Sequence, residues 1–234
     1  MIAQPDCSAE LMQRALAYTI SALDAVAELD IDLTDSIRES LAKENSQLQV
    51  VLDNLLNAQQ TLQNQQLKEG VRLQARVLVG DVVLDKGIRN GKNRMKLELQ
   101  RSMPEAADYV FGKNISELVD AELRSEPQLV MQALSRFDQV PDFAGKVELK
   151  TSLEKRVEQQ NQALSARDEG ELTRASLYSS VVRIIADASE SLYRLEKRLL
   201  DRFPRERAYV KEFFLDVTSP IRSKKSSSTQ PPSQ

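Results

Sequence analysis

An ungapped internal repeat constrains this chain more than any other feature of its sequence. Residues 69 to 110 match the residues one hundred positions further on. Glu69-Gly70 meets Glu169-Gly170, Ala75 meets Ala175, Val82 meets Val182, Arg94 meets Arg194, and Leu99 meets Leu199. Pro104 then meets Pro204, and Tyr109-Val110 meets Tyr209-Val210. Nine identities in these 42 positions compare with roughly three expected from ordinary composition, which points to a duplication. Upstream, "ALDAVAEL" at 22–29 resembles "RFDQVPDF" at 136–143 only if insertions are allowed.

Each copy reads as a first helix, two long helices joined at a glycine turn, and a short closing helix after a proline. In copy one these fall at about 8–29, 34–67, 71–102 and 105–111; in copy two, at about 127–140, 143–167, 171–202 and 205–216. Gly70 and Gly170 suit the left-handed position just past a helix end, and Pro104 and Pro204 suit a first helical turn. "NISE" from 114 and "SEPQ" from 125 have capping-box spacing, which places a short helix and a restart between the copies. The expected fold is all-α, an elongated antiparallel helical bundle of two tandem, diverged helical-hairpin repeats. Copy one covers 1–112, a connector 113–126, copy two 127–217, and the two pack as one bundle. The Ser- and Pro-rich tail at 218–234 lacks apolar periodicity and is expected to be disordered.

Composition agrees with helices and narrows the chemistry. The 234 residues are 41% hydrophobic and 29% charged, with only 7 Gly and 8 Pro, which disfavours a turn-rich sheet protein. No basic-then-apolar leader opens the chain and no run approaches the ~18 apolar residues of a membrane span. The single cysteine, Cys7, cannot form an internal disulfide, so a reducing cytoplasm is the expected location. Histidine is absent, which removes the usual general base, the commonest zinc ligand and histidine-activated nucleophiles. A net charge of −3 argues against broad non-specific binding to nucleic acid.

The stretch "RVLVGDVVLDKGIRNG" at 76–91 imitates a strand and phosphate loop. The repeat decides against that. Its counterpart in copy two, "SLYSSVVRIIADASES", belongs to an unbroken helical stripe: Leu177, Val181, Ile184, Ala188, Leu192, Leu195, Leu199 and Phe203. The register therefore predicts helix for both segments. In copy one the same stripe reads Val77, Asp81, Leu84, Ile88, Lys92, Met95, Leu99 and Met103. An unpaired buried charge costs several kcal/mol, so Asp81 and Lys92 must be paired, hydrated or facing a partner. They lie about 16 Å apart along a helix, so each needs its own partner from another element.

Lys86, Arg89, Lys92, Arg94, Lys96 and Arg101 form a basic run without the aromatic residues that stack bases. Glycines 80, 87 and 91 fit no nucleotide-binding fingerprint. Asp81 and Asp85 are four apart, as in di-metal bundles, but the Glu-x-x-His motifs of those sites are missing. The amide-rich runs "NAQQTLQNQQ" and "VEQQNQALSAR" read as solvated helix ends, or as contacts in a homo-oligomer. No catalytic, cofactor or metal residue is nominated. Asp81, Lys92, Arg89 and Arg94 are the candidates for contact with a protein partner. The leading expectation is a non-enzymatic scaffold, adaptor or assembly component. An enzyme with a carboxylate-bound divalent metal, and a nucleic-acid binder using 86–101, are the alternatives.

Overall fold

Buried leucines at helical spacing set the elements of unit after unit. The structure, a computed structural model, describes residues 3–28 and 34–216. Helix α1 (Ala9–Glu28) starts where the Ser8 hydroxyl accepts the Leu11 N–H at 3.2 Å, and it buries Met12, Leu16 and Leu23. Helix α2 (Asp35–Asn64) buries Leu41, Leu48 and Leu55, one every seven residues, so a single narrow stripe faces inward. The all-α expectation holds: among the described residues every regular element is helical. None of these helices is long and apolar enough to cross a membrane.

The glycine turns of the expected hairpins are absent, and the hairpin description is corrected accordingly. From α2 the chain passes through one π-helical segment, Gln65–Gly70, directly into α3 (Val71–Glu98). Gly70 has φ −60° and ψ −46°, an ordinary right-handed helical conformation. Gly170 lies inside α7 (Lys146–Arg202), a helix of 57 residues. A glycine permits a left-handed turn without requiring one, and no proline interrupts either helix. Gly170 has a different use: a Cβ there would come within 2.6 Å of Leu73 Cδ1, so its absence lets α3 and α7 approach. Among the described residues, positive φ occurs at Gly112 (78°) and Gly145 (76°).

The closing helices do follow both prolines, as α4 (Ala106–Phe111) after Pro104 and α8 (Arg207–Lys211) after Pro204. Between α4 and α7 come α5 (Ser116–Val119), α6 (Glu126–Leu134) and a 3-10 turn, Phe137–Gln139. Neither expected capping box forms. Asn114 Oδ1 accepts the Ser116 N–H at 3.2 Å, and the Ser125 hydroxyl donates to the Glu122 carbonyl at 3.0 Å. The tail at 218–234 lies outside the described residues.

The chain divides into two compact units that do not follow the boundaries of the copies. One joins the residues up to Leu62 with those from Ser176. Its core interleaves α1 and α2 leucines with Val181, Ile185, Ala188, Leu192, Leu195 and Leu199 of α7, whose alternating spacings of four and three make a continuous seam. Phe203, Tyr209 and Phe213 close it edge to face, with centroids 5.4 and 5.2 Å apart. The other unit is Gln63–Ala175. There Leu84, Ile88, Met95 and Leu99 pack on Val110 and Phe111 of α4, Val130 and Leu134 of α6, and Leu153 and Val157 of α7. Phe111 meets Phe137 edge to face at 5.8 Å.

Candidate functional site

The 76–91 stretch lies wholly within α3, and its glycines serve packing. A Cβ on Gly80 would strike the Gln160 side-chain oxygen at 2.2 Å. One on Gly87 would sit 3.1 Å from Leu153, and one on Gly91 3.3 Å from Leu149. Three glycines on one side of α3 thus let α7 lie close against it, and Gln160, fully buried, donates to the Val77 carbonyl at 3.3 Å. A phosphate cradle needs a loop with free N–H groups; these are helical and committed to their own carbonyls.

Lys92 occupies a core position and is fully engaged from α4. Its Nζ donates to the Gly112 carbonyl at 2.5 Å and the Lys113 carbonyl at 3.0 Å, and pairs with Asp108 at 3.0 Å. The ammonium therefore caps the carbonyl end of α4, where the helix dipole also favours a cation. The same bond from Lys92, chiefly, holds the Asp108 carboxyl below the usual carboxylate range. Arg94 is likewise used within the fold, donating to the Ala144 carbonyl at 2.8 Å beside Gly145. Arg89 is exposed, and its charge acts on Asp85.

Asp81 finds its partner in α6. Glu126, the first residue of that helix, is fully buried and meets both Asp81 and Asp85, one turn apart on α3. Among the described residues no donor group reaches either Glu126 oxygen. Burial first, then the bond to Asp81 and the Asp81 charge, then Asp85, push the Glu126 carboxyl up to about 9. A carboxyl held that high favours its protonated form at pH 7, which has a proton to offer an aspartate oxygen of α3. Burial also raises Asp85. Glu126 was not among the sequence candidates. The only signal for it was indirect, an aspartate at a core position of α3 that demanded a partner.

The cluster joins α3 to α6, with Glu126 fully buried and Asp81 and Asp85 half-buried. Among the described residues no group of three or more histidine, cysteine or acidic side chains is placed to hold a metal ion. Gly80 and Asp81 are therefore explained by the interior.

The opposite side of α3 has no such explanation. Leu67 is 70% exposed, Val71 61%, Val79 63%, Val82 63%, and Leu78 and Val83 are close to half exposed. Beside them, a groove of about 470 Å³ opens between α3 and α7. Gly70, Leu73, Gly170, Glu171 and Arg174 are among its lining residues. Monomeric proteins seldom leave so long an apolar face open without using it. The sequence pattern marks the inward stripe of α3 and its two charges but assigns these valines no role.

Comparison with known protein families, with curated proteins and with solved structures finds no match to this chain.

Proposed function

We propose that this chain is a non-enzymatic helical protein of the cytoplasm that works by binding protein surfaces, as a scaffold, adaptor or assembly component, and that it consists of two diverged copies of one helical unit. The observation that carries the functional reading is the open apolar face over residues 67–83. Six large aliphatic side chains held outward on α3 and the π-helical segment before it form a surface that water solvates poorly and that a protein partner covers well. The charged side chains of α3 support it by elimination, since Asp81, Lys92 and Arg94 each meet a group within the fold. The duplication is supported by the two proline-led closing helices, α4 and α8, and by exposure at paired positions: Tyr178 and Val182, one hundred residues beyond Leu78 and Val82, are exposed as well.

The test is affinity capture from the native cell followed by mass spectrometry, with wild type and the Leu78→Lys/Val82→Glu variant as paired baits. Partners are expected with the wild type and lost with the variant, whose helix content stays unchanged. Equal recovery with both baits would remove this face from the account.

A further inference from the structure

We propose that the outward face of residues 67–83, with the basic side chains that border it, takes an acidic amphipathic helix of another protein. The proposal rests on the reading above, that the face is a protein-binding surface, and adds the chemistry of the partner.

The charges around the face carry it furthest. On α3, Val71, Leu78, Val79 and Val82 fall within about 100° of the helix circumference. Lys86 and Arg89 continue that arc beyond Val82, and Arg72 and Arg76 border it on one side. These four and Lys68, in the π-helical segment, are all exposed. Arg72 is paired with Glu69 at 2.8 Å. Among the described residues Lys68, Arg76, Lys86 and Arg89 have no ion pair. The acidic residues between Val71 and Arg89 are Asp81 and Asp85, and both are half-buried toward Glu126 of α6. On the α7 side of the groove Arg167 is paired with Asp168, and Glu171 offsets Arg174. The apolar stripe is thus bordered by cations whose complement the fold does not supply, and carboxylates on a partner supply it. A second copy would bring only the same cations.

Shape selects a helix as the carrier of those carboxylates. The stripe and its basic continuation run from Val71 to Arg89, about 27 Å of helix, and are one helix wide. The groove beside Val71 and Leu78 gives a recess for the large apolar side chains of a helix laid along α3. Among the described residues every regular element is helical, so no sheet edge is present to receive an extended strand. A lipid surface fits less well. Interfacial helices carry Trp, Phe and Leu, whereas α3 has no aromatic residue and its stripe is mostly valine, and the chain as a whole has a net charge of −3.

The experiment is selection of a displayed library of helical peptides, about 20 residues long to match the stripe, on the full chain. Apolar positions on one face vary, and the flanking positions draw equally from Glu, Lys and Gln. Wild type is expected to enrich Glu at the flanks. Arg76→Glu/Lys86→Glu, a change at two exposed positions, is expected to keep the helical spectrum and to enrich Lys instead. A fluorescent peptide selected on wild type is expected to bind that variant, and Leu78→Lys, at least tenfold more weakly, and to lose affinity as salt rises. Enrichment of Lys, or of no charge, on wild type overturns the acidic partner and leaves the protein-binding face standing. Selected peptides indifferent to Leu78→Lys sit elsewhere and overturn the proposal. So does a selection that enriches nothing, and the paired-bait capture above then decides the face by itself. Flotation of wild type with anionic phospholipid vesicles, lost in Leu78→Lys, gives the face to a membrane and sinks both readings.

Discussion

Two residues on one face of α3 illustrate how a buried charge is accommodated, and they predict opposite pH behaviour. Glu126, beside Asp81, is raised to about 9 from an ordinary value near 4.5. Its folded form holds a proton that the unfolded chain releases. Stability is therefore unpenalised below the unfolded value and declines as pH rises toward 9, by at most about 1.4 kcal/mol per pH unit from this group. Glu126→Gln keeps the shape, supplies a permanent donor to Asp81 and Asp85, and should flatten that decline; thermal melts from pH 6 to 10 check it. Unchanged slopes in the two proteins would show that Glu126 carries no excess proton. Asp108 runs the other way. Lys92 holds it low, so its contribution is present above the usual carboxylate range and is lost as pH falls through its depressed value. Lys92→Met leaves the Gly112 and Lys113 carbonyls without this donor and should cost about 2 kcal/mol in denaturant unfolding. That Asp81 and Lys92 each needed a partner from another element was legible in the sequence. Which partner was not, because Glu126 and Asp108 reach α3 only through a chain path of loops whose direction no local pattern records.

At the scale of the element, glycine positions separate a packing role from a turn role. Gly70 is helical, and an added Cβ would find nothing nearer than 3.6 Å, so Gly70→Ala should stabilise the protein by about 0.5–1 kcal/mol. A hairpin turn at 70 would give the opposite sign. Gly80→Ala must displace the buried Gln160 side chain and should destabilise by about 1–3 kcal/mol, read by the same unfolding assay. The apolar periodicity of α1, α2, α3 and α7 was readable from single residues and repeat equivalence, and so was the helical state of 76–91. The continuity through Gly70 and Gly170 was not readable, because a glycine after an amide-rich run is compatible with both a helix end and a helix middle. The deciding neighbours, Leu73 for Gly170 and Gln160 for Gly80, lie far away in sequence.

For the whole molecule, α3 and the π-helical segment before it carry residues that the fold consumes and residues that it leaves over. Val77, Leu84, Ile88 and Lys92 are consumed; Leu67, Val71, Leu78 and Val82 are left over, and binding is assigned to them. The sequence carried the repeat but not this division, since a valine facing solvent and a valine facing the core look alike in a helical pattern. The most direct measurement is the Tm of wild type and of Leu78→Lys/Val82→Glu, with binding of an apolar fluorescent dye read on both. An open binding face predicts equal Tm values and a dye signal that falls in the variant. A variant that melts well below wild type would contradict it, because these side chains would then belong to the fold and not to a surface kept for binding.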